Sequence, residues 1–237
     1  MVGLVGGGHG EDVSLRLETR LIDGEGTLEV LDAGRLEVGL QVGQSRVKDG
    51  ADLFDRRILR WVSLVVFTHG HFDHIGAASE LKEATGAKLA IHEKDAPLLE
   101  GAQTPFPPGI TPWGRFLSRL YTPFMPLVRF PPATVDLVLG DDGLSLRDYG
   151  IPGRVIHTPG HTAGSISVLL ETGEAFVGDL AMSKLPLRRS PGLPVLAEDR
   201  DAIVRSWRLL LDAGATTVYL SHGRPFPAEV IQDAIGA

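Results

Sequence analysis

The sequence predicts a layered mixed fold, α+β or α/β in class. Three observations predict it. Short apolar or alternating runs of strand type recur along the 237 residues, LVVFT at 64–68 and SISVLLE at 165–171 among them. Helix-type segments divide these strands into two groups, and EDRDAIVRSWRLLLDAG at 198–214 is the clearest of them. No repeat with a period of roughly 20–50 residues points to a solenoid or propeller instead.

Taken in order, residues 1–10 (MVGLVGGGHG) read as a turn-forming segment. Their glycines lack the preceding strand and following helix of a dinucleotide loop. Residues 14–23 alternate Leu15, Leu17, Thr19 and Leu21 against polar neighbours, which is strand periodicity. Gly24-Glu25-Gly26 is a turn, and TLEVLDAG at 27–34 closes a hairpin. Residues 51–61 have the spacing of a short amphipathic helix. LVVFT is apolar throughout, as a strand buried on both faces requires. Residues 74–86 read as a helix ending at Gly86, 87–92 as a strand, and 93–99 as the start of another helix. Strands return at VDLVL, LSL, GRVIHT, SISVLLE and EAFVGD. In the 198–214 helix, Ile203, Trp207, Leu210 and Leu211 share a face, and acids occupy the first turn. TTVYLSHG is a last strand and PAEVIQDAIG a last helix. No linker interrupts the pattern, so a single domain over 1–237 is expected.

Residues 103–134 differ. They contain eight of the sixteen prolines, with WGRFLSRLYTPFMPLV between them. This is a packed insertion or a lid, with a short helix at about 113–121. Phe72, Trp113, Phe116, Leu120, Tyr121 and Phe124 are the candidates for an apolar substrate pocket.

Composition narrows the chemistry. The net charge of −7 does not suggest a nucleic-acid partner. The absence of cysteine excludes disulfides, iron–sulfur clusters, thiolate zinc ligands and a cysteine nucleophile. No signal-peptide pattern and no apolar run of about 18 residues occurs, so a cytoplasmic location without a membrane partner is expected. A small-molecule substrate is the expected partner, and oligomeric state is not readable.

Five of the eight histidines follow an apolar strand and sit beside glycine: His69, His71, His74, His161 and His222. Asp179 ends AFVGD in the same way. Strand ends hold side chains rigidly while leaving them accessible. In the H-x-H-x-D-H run, His69 and His71 lie two apart on extended chain and can serve one ion. Asp73 and His74 follow the turn and can face a second. Grouped imidazoles without a metal would need many hydrogen-bond partners. Imidazole and carboxylate donors suit zinc, iron or manganese. An isolated strand-end histidine such as His92 or His157 is more often structural.

THGHFDHIG (68–76) resembles the signature of the metallo-β-lactamase superfamily. VLDAG (30–34), TPGHTAGS (158–165), FVGDL (176–180) and LSHGRP (220–225) resemble its other motifs, in its order. The resemblance implies an αββα sandwich: two mixed sheets packed face to face, helices on the outer faces, and metals at one edge. It implies that His69, His71 and His161 hold a first ion and Asp73, His74 and His222 a second. Asp179 would bridge them, and Asp32 would steady the metal loop by hydrogen bonds. The implied activity is hydrolysis of a small ester-type substrate, a lactone, thioester or phosphoester, by a bridging hydroxide on two divalent ions. Zinc is the first choice, with iron or manganese as alternatives. Asp73 would orient the hydroxide and accept its proton.

His74 and the lack of a cysteine ligand point away from the antibiotic-hydrolysing members. Phe72, where the tRNA-processing nucleases have glycine, points away from those. Small glyoxalase-II-like and lactonase-like hydrolases are nearer, although the glyoxalase-type C-terminal helical domain is not expected after His222. A mononuclear-iron sulfur dioxygenase is the alternative activity.

Overall fold

The computed structural model describes residues 62–183 and 191–236, together with the backbone of four short strands before them. The first sheet has the order β4-β1-β5-β6-β7, built from Val38–Leu40, Val2–Gly6, Val62–Phe67, Lys88–His92 and Leu137–Leu139. Its core is parallel from β5 to β7, and β1 runs antiparallel to both β5 and β4. The second sheet has the order β13-β12-β11-β10-β9-β8. These are Phe226–Pro227, Thr217–Tyr219, Glu174–Phe176, Ile166–Leu170, Gly153–His157 and Leu144–Ser145. All its neighbours are antiparallel except β11 and β12.

Alternation along each strand assigns the layers. On β5, Leu64 and Val66 join one apolar cluster and Val65 and Phe67 another. On β10, Ile166 and Leu170 turn towards the cluster that holds Leu64 and Val66, whereas Leu169 turns away. Successive strand side chains point to opposite faces, so the shared cluster is the interface between the sheets. The two outer clusters are where helices pack. Helix α2 (Ala78–Thr85) and helix α3 (Ala96–Glu100) cover the first sheet through Ala78, Leu81, Ala96 and Leu99. Helix α5 (Arg200–Asp212) and helix α6 (Glu229–Gly236) cover the second through Ile203, Trp207, Leu210 and Ile231. The result is helix, sheet, sheet, helix, the αββα arrangement.

Both faces of β5 are buried, which explains its uninterrupted apolar run. The segment expected as one helix at 74–86 is two. Helix α1 (Phe72–Ile75) ends at Gly76, and α2 ends at Gly86 in the left-handed conformation, φ 70°. Asp199 caps α5, its carboxylate accepting from the amides of Asp201 and Ala202. Helix α4 (Pro112–Tyr121) is capped by Thr111 and followed by a 3-10 turn, Thr122–Leu127.

Two further expectations change, at residues 2–6 and at β13, while the expected hairpin is found. Residues 2–6 are not a turn but a strand, which fills the edge of β5 and pairs Gly3 with both Val66 and Gly39. The hairpin is present as β2 (Arg20–Leu21) against β3 (Leu28–Glu29), with the remainder of 14–34 outside the described residues. Strand β13 falls in PFPA, where prolines suppress the strand signal; as an edge strand it tolerates them. The helix expected at 51–61 lies outside the described residues. Among the described residues no helix is long and apolar enough to cross a membrane.

Candidate metal centre

Each ligand-type side chain leaves from the end of a buried strand or the loop beside it. Thr68, His69, Gly70 and His71 follow β5, and α1 turns the chain so that Asp73 and His74 come next. His161 lies in the loop from β9 to β10, Asp179 follows β11, and His222 follows β12. The two sheets are stitched together here: the Ile166 amide donates to the Thr68 carbonyl at 2.8 Å. Gly178 approaches the same residue so closely that a Cβ on it would lie 2.5 Å from Thr68 Oγ1, and its φ is +57°. A glycine is required there on both counts.

The side chains gather in two groups. Donor atoms of His69, His71 and His161 lie within 4.8 Å of one another, as do those of Asp73, His74, Asp179 and His222. His71 Nδ1 and His161 Nε2 are 2.9 Å apart. The Nδ1–H of His161 donates to the Leu196 carbonyl at 3.0 Å, which leaves Nε2 as a lone-pair donor facing the other imidazoles. Asp179 faces both groups: Oδ2 is 3.6 Å from His161 Nε2 and 3.3 Å from His222 Nε2, and Oδ1 is 3.6 Å from His74 Nε2. Asp73 Oδ2 is 3.5 Å from His222 Nε2 and 3.7 Å from His74 Nε2.

The protein alone does not satisfy this cluster. His69 Nε2 and Asp179 Oδ1 are buried side-chain atoms without a hydrogen-bond partner. Such groups are rare in native proteins unless something else completes them. Burial and the neighbouring imidazoles hold His71 down at about 3 and push His69 well below its ordinary value; burial also lowers His74. Burial would raise Asp73, but the His222 hydrogen bond and the His74 charge outweigh it and leave it at about 2. Asp179 is likewise held well below the usual carboxylate range, with burial outweighed by His74 and His222. His222 is driven up to about 10 by its hydrogen bond to Asp179, the charge of that carboxylate, and Asp73. Neutral buried imidazoles beside two carboxylates are the donor set that fits divalent cations, and His222 would join it only by giving up the proton that the two carboxylates hold on it.

A third group, His92, Asp141 and His157, is built differently. Asp141 Oδ1 is 3.1 Å from His92 Nε2, 2.9 Å from His157 Nδ1 and 3.0 Å from Lys94 Nζ. The remaining ring nitrogens contact the Lys94 amide and the Ala163 carbonyl. Every nitrogen is partnered and an ammonium already occupies the carboxylate. This is a structural hydrogen-bonded group.

Sequence reasoning missed Asp95. It stands at the N-cap of α3, where an aspartate is unremarkable, yet its carboxylate makes no cap bond. Instead it is 3% exposed, and Oδ2 accepts from the Gly70 amide at 2.8 Å and from Thr162 Oγ1 at 2.7 Å. Asp95 therefore ties the His69–His71 loop to the His161 loop. Only tertiary packing reveals this. Among the pocket candidates, Phe72 is half-buried in α1, while Trp113, Phe116, Leu120, Tyr121 and Phe124 lie exposed on α4 and the 3-10 turn. Asp32 lies outside the described residues.

Comparison with known proteins places the chain among its relatives. The sequence profile of the metallo-β-lactamase superfamily matches residues 50–222. A probable metallo-hydrolase of Bacillus subtilis, YflN, is 34% identical over 124 residues, which is 50% of this chain and 44% of that protein. A hydroxyacylglutathione hydrolase of Cereibacter sphaeroides is 30% identical over 123 residues, 52% of this chain and 35% of that protein. The chain thus matches less than half the length of these curated relatives. Among solved structures, an archaeal metallo-β-lactamase superfamily protein from Sulfolobus tokodaii superposes with a TM-score of 0.51 at 20% identity. The match covers 74% of this chain and 67% of that one, and it shows the shared fold.

Proposed function

The chain belongs to the metallo-β-lactamase superfamily, and on that premise we propose that it is a hydrolase of small ester-type substrates working with two divalent ions, zinc first among them. The observation that carries this reading is Asp179 standing between two donor clusters, with its Oδ1 and the neighbouring His69 Nε2 unpartnered. His69 Nε2, His71 Nδ1 and His161 Nε2 would hold one ion. Asp73, His74 and His222 would hold the other, and Asp179 would face both. When bound, such ions acidify a water towards neutral pH and polarise a substrate oxygen.

The chain's own residues set up the rest. Leu196 holds the His161 ring in one tautomer, and Asp95 holds the two ligand loops in register. Asp73 is the partly exposed carboxylate of the centre, 26% open against 9% for Asp179. That makes it the group placed to accept a proton at Oδ and pass it to solvent. His222 is also partly open, so substrate would enter on the Asp73–His222 side. Phe72, half-buried and between His71 and Asp73 in sequence, is the candidate for an apolar wall at that entrance.

The second cluster favours this reading over a mononuclear-iron dioxygenase, which would use one iron on a related histidine-based set. The named activity of the Cereibacter relative supports keeping thioesters among the substrate classes to test. The experiment is a hydrolysis panel of lactone, thioester, phosphodiester, phosphomonoester and β-lactam substrates, with the protein loaded with zinc, manganese or iron. Turnover of an ester-type substrate with two metals per chain is expected. Persulfide-dependent oxygen uptake with one iron per chain, and no hydrolysis, would replace the proposal with the dioxygenase.

A further inference from the structure

Helix α4 is mounted with its large apolar side outward. Gly114 forms the edge that meets the body of the protein. Gly114 is buried, and a Cβ on it would lie 2.0 Å from the Val195 carbonyl oxygen. The other side and the 3-10 turn that follows present Trp113, Phe116, Leu120, Tyr121, Phe124 and Leu127, each between 47% and 76% exposed. Folding ordinarily turns such a stripe inward; here the glycine contact holds it in solvent. Trp113 and Phe116 stack at 5.4 Å, so the stripe is ordered as a surface.

Charge separates this segment from the rest. The chain carries −7 overall, yet residues 101–135 hold three arginines, Arg115, Arg119 and Arg129, and no acidic residue. Arg115 and Arg119 flank the aromatic stripe on α4 and are exposed. A two-fold contact between copies would set these arginines against their own counterparts, which disfavours a second copy as the occupant. An aromatic stripe flanked by arginine on a short surface helix matches the interfacial region of an anionic bilayer, where rings enter the headgroup layer and guanidinium groups meet phosphate.

We propose that α4 and the adjoining turn form a docking face for an anionic lipid surface, binding peripherally without crossing it. The face begins next to the Ile110–Val195 pairing, one residue before the Leu196 carbonyl that orients His161. Docking therefore engages the side of the molecule that carries the metal centre. It is independent of the reaction catalysed there.

The test uses the full chain and vesicles of phosphatidylcholine with and without phosphatidylglycerol. Sedimentation with the mixed vesicles only, reversed by high salt, is expected. Trp113 emission should shift to the blue on binding, assigned by its loss in Trp113→Phe. Neutralising the three arginines to Gln should weaken binding by about a hundredfold, since each contributes about fivefold at a charged membrane. Phe116→Ser with Leu120→Ser should release the protein, with circular dichroism and metal content unchanged. Failure of the unaltered protein to bind anionic vesicles, or equal binding to neutral ones, would overturn the proposal. So would a concentration-dependent dimer in sedimentation velocity that Phe116→Ser abolishes, because a second copy would then be the occupant.

Discussion

Three of the metal-loop histidines are held neutral by burial, whereas His222 is held charged by two carboxylates. The two sets oppose one another with pH. His71 titrates near 6.5 in the unfolded chain and at about 3 in the fold. Between those values the unfolded chain binds the extra proton, so stability falls as pH drops below about 6.5. His222 goes from 6.5 up to about 10, so its contribution is full below 6.5 and is lost as pH rises towards 10. The metal-free protein should therefore be most stable near neutrality, with the urea midpoint falling on both sides. A midpoint rising steadily from pH 5 to 9 would contradict this assignment. Asp95→Ala should weaken metal binding by about ten- to a hundredfold in a chelator competition, as loss of a ligand-orienting partner does elsewhere. Asp95→Asn, which keeps an acceptor oxygen, should recover part of that. Unchanged affinity in the alanine variant would remove Asp95 from the loop-orienting role. The contrast with the gathered ligands is instructive. His69 to His74 were legible because a contiguous motif beside glycine has few structural explanations. Asp95 was not, because a lone aspartate before a helix has a ready one in capping.

Among the elements, α5 reaches two of the three ligand loops of the second sheet, those of His161 and Asp179. Ser206 Oγ donates to the Pro159 carbonyl at 2.7 Å, and Trp207 Nε1 donates to the Leu180 carbonyl at 3.0 Å. These carbonyls lie two residues before His161 and one after Asp179. Trp207→Phe keeps most of the buried ring and removes that donor, leaving the Leu180 carbonyl to find another partner. A stability loss of about 1–3 kcal/mol is expected, with weaker metal retention. At Gly178, the contact with Thr68 and the positive φ predict a larger effect for Gly178→Ala, visible as lost metal content in the folded fraction. Intact metal content there would show that the two loops can separate without harm. Most strands were legible from alternation, and α5 from its caps and its apolar face. Strands β1 and β13 were not, since glycine and proline dilute the pattern while backbone pairing still forms. The break between α1 and α2 was hidden for the converse reason: the apolar spacing continues across Gly76.

For the whole molecule, the αββα layering follows from which face each strand residue chooses, and three apolar clusters record those choices. Binding of ions to the folded state alone adds stability by mass action, about 2.7 kcal/mol at a hundredfold excess over Kd. Chelation should accordingly lower the melting temperature, and zinc should restore it; a transition indifferent to both would separate the centre from stability. Each donor cluster is composite. His69 and His71 leave the first sheet and His161 the second; Asp73 and His74 leave the first, and Asp179 and His222 the second. A nick in the proline-rich 103–134 stretch would thus divide both ligand sets between two fragments. Neither fragment could bind an ion as the intact protein does, and a divalent cation would become the coupler on which their reassembly depends.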